Sequence, residues 1–251
     1  MIEVRGLCKT FQPKRTFLSK SGNSVEAVRN VSFKCKPGEI YALLGANGAG
    51  KTTTLRMLST ILTPTAGDAI VDGANIVTDP ETVRRKVGFL STATALYGRL
   101  NAKEMVDYFG RIHGMEGAQL EKRRNELFDL LDMNSFANRR CDKLSTGMKQ
   151  KVSIARTLIH DPPVMIFDEP TLGLDVMAAR TIVKFVRQCR DQGKTVIFST
   201  HIMSEVEKLS DRIAIIHEGQ ILAEGTIEEL RAITGKSDLE DVFVETVGGE
   251  S

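Results

Sequence analysis

Residues Gly45 to Thr52 read GANGAGKT, a full match to the spacing G-x-x-x-x-G-K-[ST]. Glycines at such spacing let a loop curl so that its amides converge on phosphate oxygens, which the start of a following helix also attracts. Lys51 is long enough to reach terminal phosphates, and the Thr52 hydroxyl suits Mg2+. The bland alternative is a Gly-rich turn between strand and helix. Downstream, VMIFDE ends an apolar run in two carboxylates. Asp168, at the end of that run, is placed to support a metal through water, and Glu169, one residue on, to polarise an attacking water. The competing reading of the acid pair is a helix N-terminal cluster, since a helix is expected after Asp175. His201 directly follows the apolar run TVIFST, at the end of a strand where α/β proteins gather their sites. No NKxD-like guanine-reading element follows, which favours ATP over GTP.

A further candidate is LSTGMKQKVSIARTL, Leu144 to Leu158. Its periodicity is helical and Ser145 is a good N-cap, but Met148 stands where a capping box would have Glu or Gln. Gly147 offers bare backbone in the first turn, and Lys149 and Lys151 add positive charge to an already positive helix end. The amides there are left open, as for an anion that this helix does not itself supply.

These groups need elements to hold them. Short apolar runs alternate with helical patterns, which predicts an α/β fold with a largely parallel sheet. Strands are expected at IEVR, at IYALLG from Ile40, and at VGFL from Val87. Further strands are expected at VMIFD from Val164, TVIFST from Thr195 and RIAIIH from Arg212. The unbroken apolarity of VMIF and TVIF suits strands covered on both faces. The N-terminal part and Gly67–Val77 read as short antiparallel strands. From Asn101 to His160 the strand signal gives way to charged helical segments, a helical subdomain inserted in the core. The segment Gln12 to Ser24 is basic and turn-rich and reads as an exposed loop, while VRRKV, Val83 to Val87, reads as a solvated helix face. His113, His160 and His217 carry no pattern beyond ordinary capping or loop positions.

The chain has 251 residues, 41% hydrophobic and 26% charged, enough for a sizeable core. A net charge of only +2 gives no nucleic-acid footprint. The four cysteines, Cys8, Cys35, Cys141 and Cys189, lack zinc-site spacing and read as reduced thiols. No signal peptide opens the sequence and no run approaches the roughly 18 apolar residues of a membrane span. A membrane role would have to come from a partner.

In this order, GANGAGKT, LSTGMKQ, VMIFDEPTLGLD and STH resemble the nucleotide-binding domain of ATP-binding-cassette (ABC) proteins over nearly the whole chain. The resemblance implies a P-loop NTPase (RecA-like) core over residues 1–235, with an antiparallel β-subdomain and a helical subdomain inserted at about 91–160. A tail helix would occupy 236–251. It implies ATP and Mg2+ as ligands, with nucleotide contacts from Gly45, Asn47, Gly48, Ala49, Gly50, Lys51, Thr52 and Thr53, and with Phe11 of LCKTF as the adenine-stacking ring. The alternative for Phe11 is a core residue of the first strand. Thr52 and Asp168 would hold the metal, Glu169 would activate water and His201 would sense the γ-phosphate.

LSTGM is similar to the signature L-S-G-G-Q, so Ser145, Thr146 and Gly147 would serve a second copy's ATP in a head-to-tail dimer. Asp175 matches the D-loop position. Thr92 stands where the family usually has Gln after the strand VGFL, which would loosen direct metal contact there. LEDVF near the end resembles the tail of two-component bacterial exporters, including a sodium-extruding branch. The implied job is the ATPase subunit of an exporter of Na+ or a small molecule, at the cytoplasmic face of the membrane beneath a separate permease, without nucleic acid. The competing class is a soluble ABC-type ATPase in nucleic-acid or translation processes. The interval from Thr52 to Asp168 is too short for the long coiled coils of the DNA-acting relatives.

Overall fold

The computed structural model describes residues 1–12, 24–91 and 95–248. Thr92 and residues 13–23 of the basic segment lie outside the described residues, as does the side chain of Met177.

Among the described residues two sheets share the work. The larger is six-stranded and uses β3 (Ile40–Leu44), β6 (Val87–Ser91), β7 (Val164–Asp168), β8 (Thr195–Thr200), β9 (Arg212–His217) and β10 (Gln220–Gly225) in the order β10-β9-β3-β8-β7-β6. All neighbours are parallel except the β9/β10 hairpin. Every residue of β3, β7 and β8 is buried, which explains why their sequences show no polar alternation. The smaller, antiparallel sheet runs β2 (Val25–Cys35), β1 (Ile2–Phe11), β4 (Ala66–Val71) and β5 (Ala74–Asn75). Its first two strands, 10 and 11 residues long, exceed the short strands that the sequence suggests, because each continues past several register shifts.

The period-2 geometry of the large sheet splits the core in two. Ile40, Ala42 and Leu44 of β3, with Met165 and Phe167 of β7, face one cluster, which includes the helical region. Tyr41 and Leu43, with Val164 and Ile166, face the other, which includes the small sheet. Helix α1 (Lys51–Leu58) follows β3 directly, and α2 (Pro80–Lys86) is capped by Asp79 and leads into β6. In α2 Arg84 and Arg85 are exposed, while Lys86 turns back to donate to the Asp72 carbonyl at 2.6 Å.

The inserted region holds α3 (Ala102–Ile112), α4 (Gly117–Leu130) and α5 (Thr146–Leu158). Helix α3 begins at a complete capping box, Asn101 with Glu104. Helix α6 (Val176–Asp191) precedes β8, and α7 (Met203–Leu209) follows it. The chain closes with α8 (Ile227–Thr234) and α9 (Leu239–Gly248), where Leu239 and Val242 are buried in the same cluster as the central sheet.

At the seam between the helical region and the sheet, His113 and His160 lie face to face, with centroids 3.6 Å apart and planes parallel. They are thus more than capping or loop residues. His160 Nε2 stands 3.3 Å from the Val87 carbonyl, which only accepts, so Nε2 carries the proton. Nδ1 is buried without a partner, facing no group that would accept a second proton. Burial, then the neighbouring His113, push His160 down to about 4, with opposing influence from Asp161 and a further lowering from Lys194. Burial also lowers His113.

Because the folded pKa lies below the unfolded value of 6.5, this contribution to stability is complete above pH 6.5. It is lost as pH falls from there toward 4, where the unfolded chain takes up the proton first. For His160 the loss is about 3 kcal/mol. Denaturant unfolding across this range is expected to show a steeper decline for wild type than for His160→Phe, which keeps a stackable ring without a titrating group.

Candidate nucleotide-binding site

Four parallel strands deliver their carboxyl ends to one place. In register, Leu44 of β3 lies opposite Thr200 of β8, Asp168 of β7 opposite Ser199, and Ser91 of β6 opposite Asp168. The loop after β3, residues 45–50, begins beside the end of β8, where the Gly45 amide donates to the Thr200 carbonyl at 3.4 Å.

One backbone contact, itself braced by a second, holds that loop. Gly219 donates to the Ala49 carbonyl at 3.0 Å, and Arg29 donates to the Gly219 carbonyl at 2.7 Å. Gly50 adopts φ +102°, and a Cβ there would sit 2.5 Å from the Ala27 carbonyl, so the position requires glycine for both reasons. Ala46, Asn47 and Gly48 are exposed at the crest, whereas Ala49 and Gly50 are buried. Gly50 caps α1 without any side-chain bond, which leaves the first amides of the helix to an outside acceptor. Lys51, only 4% exposed, folds its ammonium back onto the Gly45 and Ala46 carbonyls at 2.7 and 3.0 Å. Burial lowers its pKa, against the pull of Glu169 and Asp168. A buried cation beneath an exposed rim of amides is a cradle for an anion with several oxygens.

Below the loop lies an acidic pair with divided duties. Asp168 is buried and accepts from three hydroxyls: Thr52 at 2.8 Å, Ser199 at 2.9 Å and Ser91 at 3.4 Å. Glu169 has φ +47°, an uncommon conformation for a residue with a side chain, and its amide donates to the hydroxyl and carbonyl of Ser199. This left-handed step turns the Glu169 carboxylate away from Asp168's set of hydroxyls. One of its oxygens lies 3.5 Å from Lys51 Nζ, the other 3.4 Å from His201 Nδ1. His201 Nδ1 is buried and makes no hydrogen bond, so a polar atom is left aimed into the site.

Hard oxygen donors at Thr52 and Asp168 suit a hard divalent cation. Among the described residues no cluster of three or more His, Cys, Asp or Glu side chains could hold a metal alone. The fit is therefore to an ion that arrives with phosphate oxygens to complete its shell, as Mg2+ does.

Phe11 ends β1 and is 40% exposed, with the Lys9 ammonium 5.4 Å from its ring centroid. It is not a core residue, and its ring faces solvent. Thr53 lies partly buried in the first turn of α1.

Ser145, Thr146 and Gly147 form the opening turn of α5, and among the described residues no hydrogen bond or ion pair joins them to the phosphate loop. The Ser145 hydroxyl accepts from the Met148 amide at 3.3 Å, which leaves its own proton free to be donated outward. A Cβ on Gly147 would meet nothing within 4 Å, so this chain's own packing does not demand glycine there. Lys151 does not enrich the positive end of the helix as its sequence position suggests: its ammonium is turned to Asp132, 3.2 Å from the carbonyl and 3.5 Å from the carboxylate. Asp175 caps α6 by accepting from Ala178 at 2.8 Å, and it lines one cavity of about 290 Å³ with Gly147 and Gln150.

Ser91 and Ser199 escape a reading of the sequence, because nothing local marks them. Only the strand register places their hydroxyls on Asp168.

Gly50→Ala is expected to lower the melting temperature and abolish ATP binding, measured by differential scanning fluorimetry and titration calorimetry on the same sample. Both a clash and a disfavoured φ act there.

Comparison with known proteins gives the same picture. The ABC transporter family profile matches residues 28–172. The chain is 40% identical over 245 residues, covering 97% of both sequences, to the ABC transporter ATP-binding protein NatA of Bacillus subtilis (strain 168). It is 38% identical to the Nod factor export ATP-binding protein I of Paraburkholderia xenovorans (strain LB400), covering 90% of this chain and 74% of that protein. Among solved structures it resembles a dimeric ATP-binding cassette in a post-hydrolysis state bound to ADP and Pi. That likeness has a TM-score of 0.79 and 27% identity, over 90% of this chain and 99% of the other.

Proposed function

This chain belongs to the ABC transporter family, and from that premise we propose that it powers export as one of two paired cassettes beneath a membrane permease. It is an ATP-binding and ATP-hydrolysing subunit. The observation that carries the reading is the convergence of Lys51, Thr52, Asp168, Glu169 and His201 on one end of the parallel sheet. The matched relatives are transporter and export subunits, and a soluble nucleic-acid or translation ATPase draws no support from them.

In the proposed mechanism the amides of residues 45–53 and the Lys51 ammonium hold the β- and γ-phosphates, and Phe11 stacks on the base. Thr52 and Asp168 would hold Mg2+, which would supply charge neutralisation on those phosphates. Glu169 accepts a proton from the water that attacks the γ-phosphorus, and His201 steadies the γ-phosphate and the Glu169 carboxylate. General-base help of this kind is worth about 3–5 kcal/mol. A second copy brings the α5 opening turn, with the Ser145 hydroxyl and the Thr146 and Gly147 amides, to close the same phosphate from the far side. Asp175 stands beside that turn and connects the paired sites.

No helix among the described residues is long and apolar enough to cross a membrane, and in the proposed function the translocation path lies in a separate permease. Cargo choice, whether Na+ or a small molecule, belongs to that permease. Association with it puts this subunit at the cytoplasmic face.

Glu169→Gln is expected to bind ATP with near-normal affinity, turn over at least about 100-fold more slowly, and accumulate as a dimer with ATP in size-exclusion chromatography. Wild-type turnover in this variant would refute the assigned base. Gly147→Ala separates the trans role from folding: the melting temperature and ATP binding should hold, while ATP-driven dimerisation and hydrolysis fall. Purification of the tagged subunit from detergent-solubilised membranes should recover a polytopic membrane protein.

A further inference from the structure

Glu205 lies in the first turn of α7, four residues past His201, and no motif marks it. An acid in a first turn ordinarily needs no explanation beyond the helix dipole. Here both carboxylate oxygens are taken by hydroxyls from two other segments. Thr171 Oγ1 donates to Oε1, and Thr200 Oγ1 donates to Oε2 at 2.8 Å. Both threonines are buried, and Thr200 Oγ1 also accepts from the Ile202 amide at 3.0 Å. Each hydroxyl proton therefore has one defined direction.

The two segments are the ones that carry the reacting groups. Thr171 sits two residues after Glu169, in a turn closed by the Leu172 amide on the Glu169 carbonyl at 3.2 Å. Thr200 immediately precedes His201 and ends β8. The same turn is gripped from the other side, where Gln150 of α5 donates to the Pro170 carbonyl at 3.3 Å. Glu169 leaves its strand with a left-handed φ, so its carboxylate direction depends on how this turn is held.

We propose that Glu205 is a positioning residue for hydrolysis: its carboxylate clasps the turn after Glu169 to the strand end before His201 and so fixes the base and the histidine against each other. The inference rests on the roles given to Glu169 and His201 above. Without the clasp the turn is tied to the strand end only at its start, by the Glu169 amide on Ser199, and the 3.4 Å approach between the two groups is less firmly enforced. Nucleotide binding, which uses the loop at residues 45–53, is untouched. Gln150 joins α5 to the same turn at Pro170, so the helix and the turn after Glu169 are in direct contact.

The test uses the full-length chain and reads kcat, KM for MgATP and, separately, ATP affinity by calorimetry. Glu205→Gln keeps size but has one acceptor oxygen for two donating hydroxyls. It is expected to lower kcat about tenfold, with ATP affinity held within about twofold. Thr171→Val should give the same loss, Thr171→Ser should restore the rate, and Thr171→Val should add little in the Glu205→Gln background. Wild-type kcat in Glu205→Gln overturns the proposal, as does a Thr171→Ser variant as slow as Thr171→Val, which would show that keeping the hydroxyl does not keep the rate. Should Glu205→Gln fail to fold, the Thr171 pair decides alone. Glu169→Gln run alongside separates the two readings. Full activity there would sink the assignment of the base itself, whereas an inactive Glu169→Gln beside a fully active Glu205→Gln would sink only the clasp.

Discussion

A carboxylate buried at the end of a central strand is the constraint around which this site is organised. Asp168 sits where β6, β7 and β8 end together, and an isolated charge there would be costly. Three hydroxyls from three different elements offset that cost: Thr52 from the first turn of α1, Ser199 from β8 and Ser91 from β6. Satisfying one charge thus locks the phosphate loop's helix and two strands to a third. The buried polar network lends specificity to the register, since a slip by one residue would turn Ser199 away from Asp168.

The adjacent Glu169 shows how one residue can be freed from that network. Its left-handed backbone takes the side chain off the strand direction and sets it between Lys51 and His201. Asp168 accepts from three hydroxyls, whereas Glu169 lies 3.4 Å from a histidine nitrogen that has no hydrogen-bond partner. Neighbours in sequence thereby receive different electrostatic surroundings, one suited to a metal and the other to a proton. The Glu205 contacts continue the same logic outward, from the reacting groups to the turns that aim them.

The opening turn of α5 belongs to a different surface. Its open amides, outward-facing hydroxyl and unexplained glycine are not used by the phosphate loop of the same chain. Under the proposed function this turn and the phosphate loop are two half-sites, and among the described residues no hydrogen bond or ion pair joins them within one copy. In the proposed head-to-tail pairing of two copies, ATP would be the shared ligand that holds the pair. In that pairing, hydrolysis followed by phosphate release would remove the anion that both halves bind, so that dimer stability would follow the state of the nucleotide.

The phosphate loop, the acidic pair and the signature turn could be read from the sequence because each is a local device. Glycines at fixed spacing, acids ending an apolar run and a serine cap act through backbone geometry within a few residues. Strand identity was equally legible for β3, β7 and β8, whose complete burial leaves continuous apolar runs. Phe11 was ambiguous, since an aromatic on a first strand looks the same whether it packs inward or faces solvent, and only its exposure distinguishes the two. Lys151 misled for a related reason: its sequence position lends charge to the helix start, but its flexible stem reaches Asp132 instead. The seam of His113 and His160, the hydroxyls of Ser91 and Ser199, and the grip of Glu205 on Thr171 and Thr200 were all decided by tertiary structure. Each joins residues distant in the chain, and their partnership exists only once parallel strands have fixed which ends lie side by side.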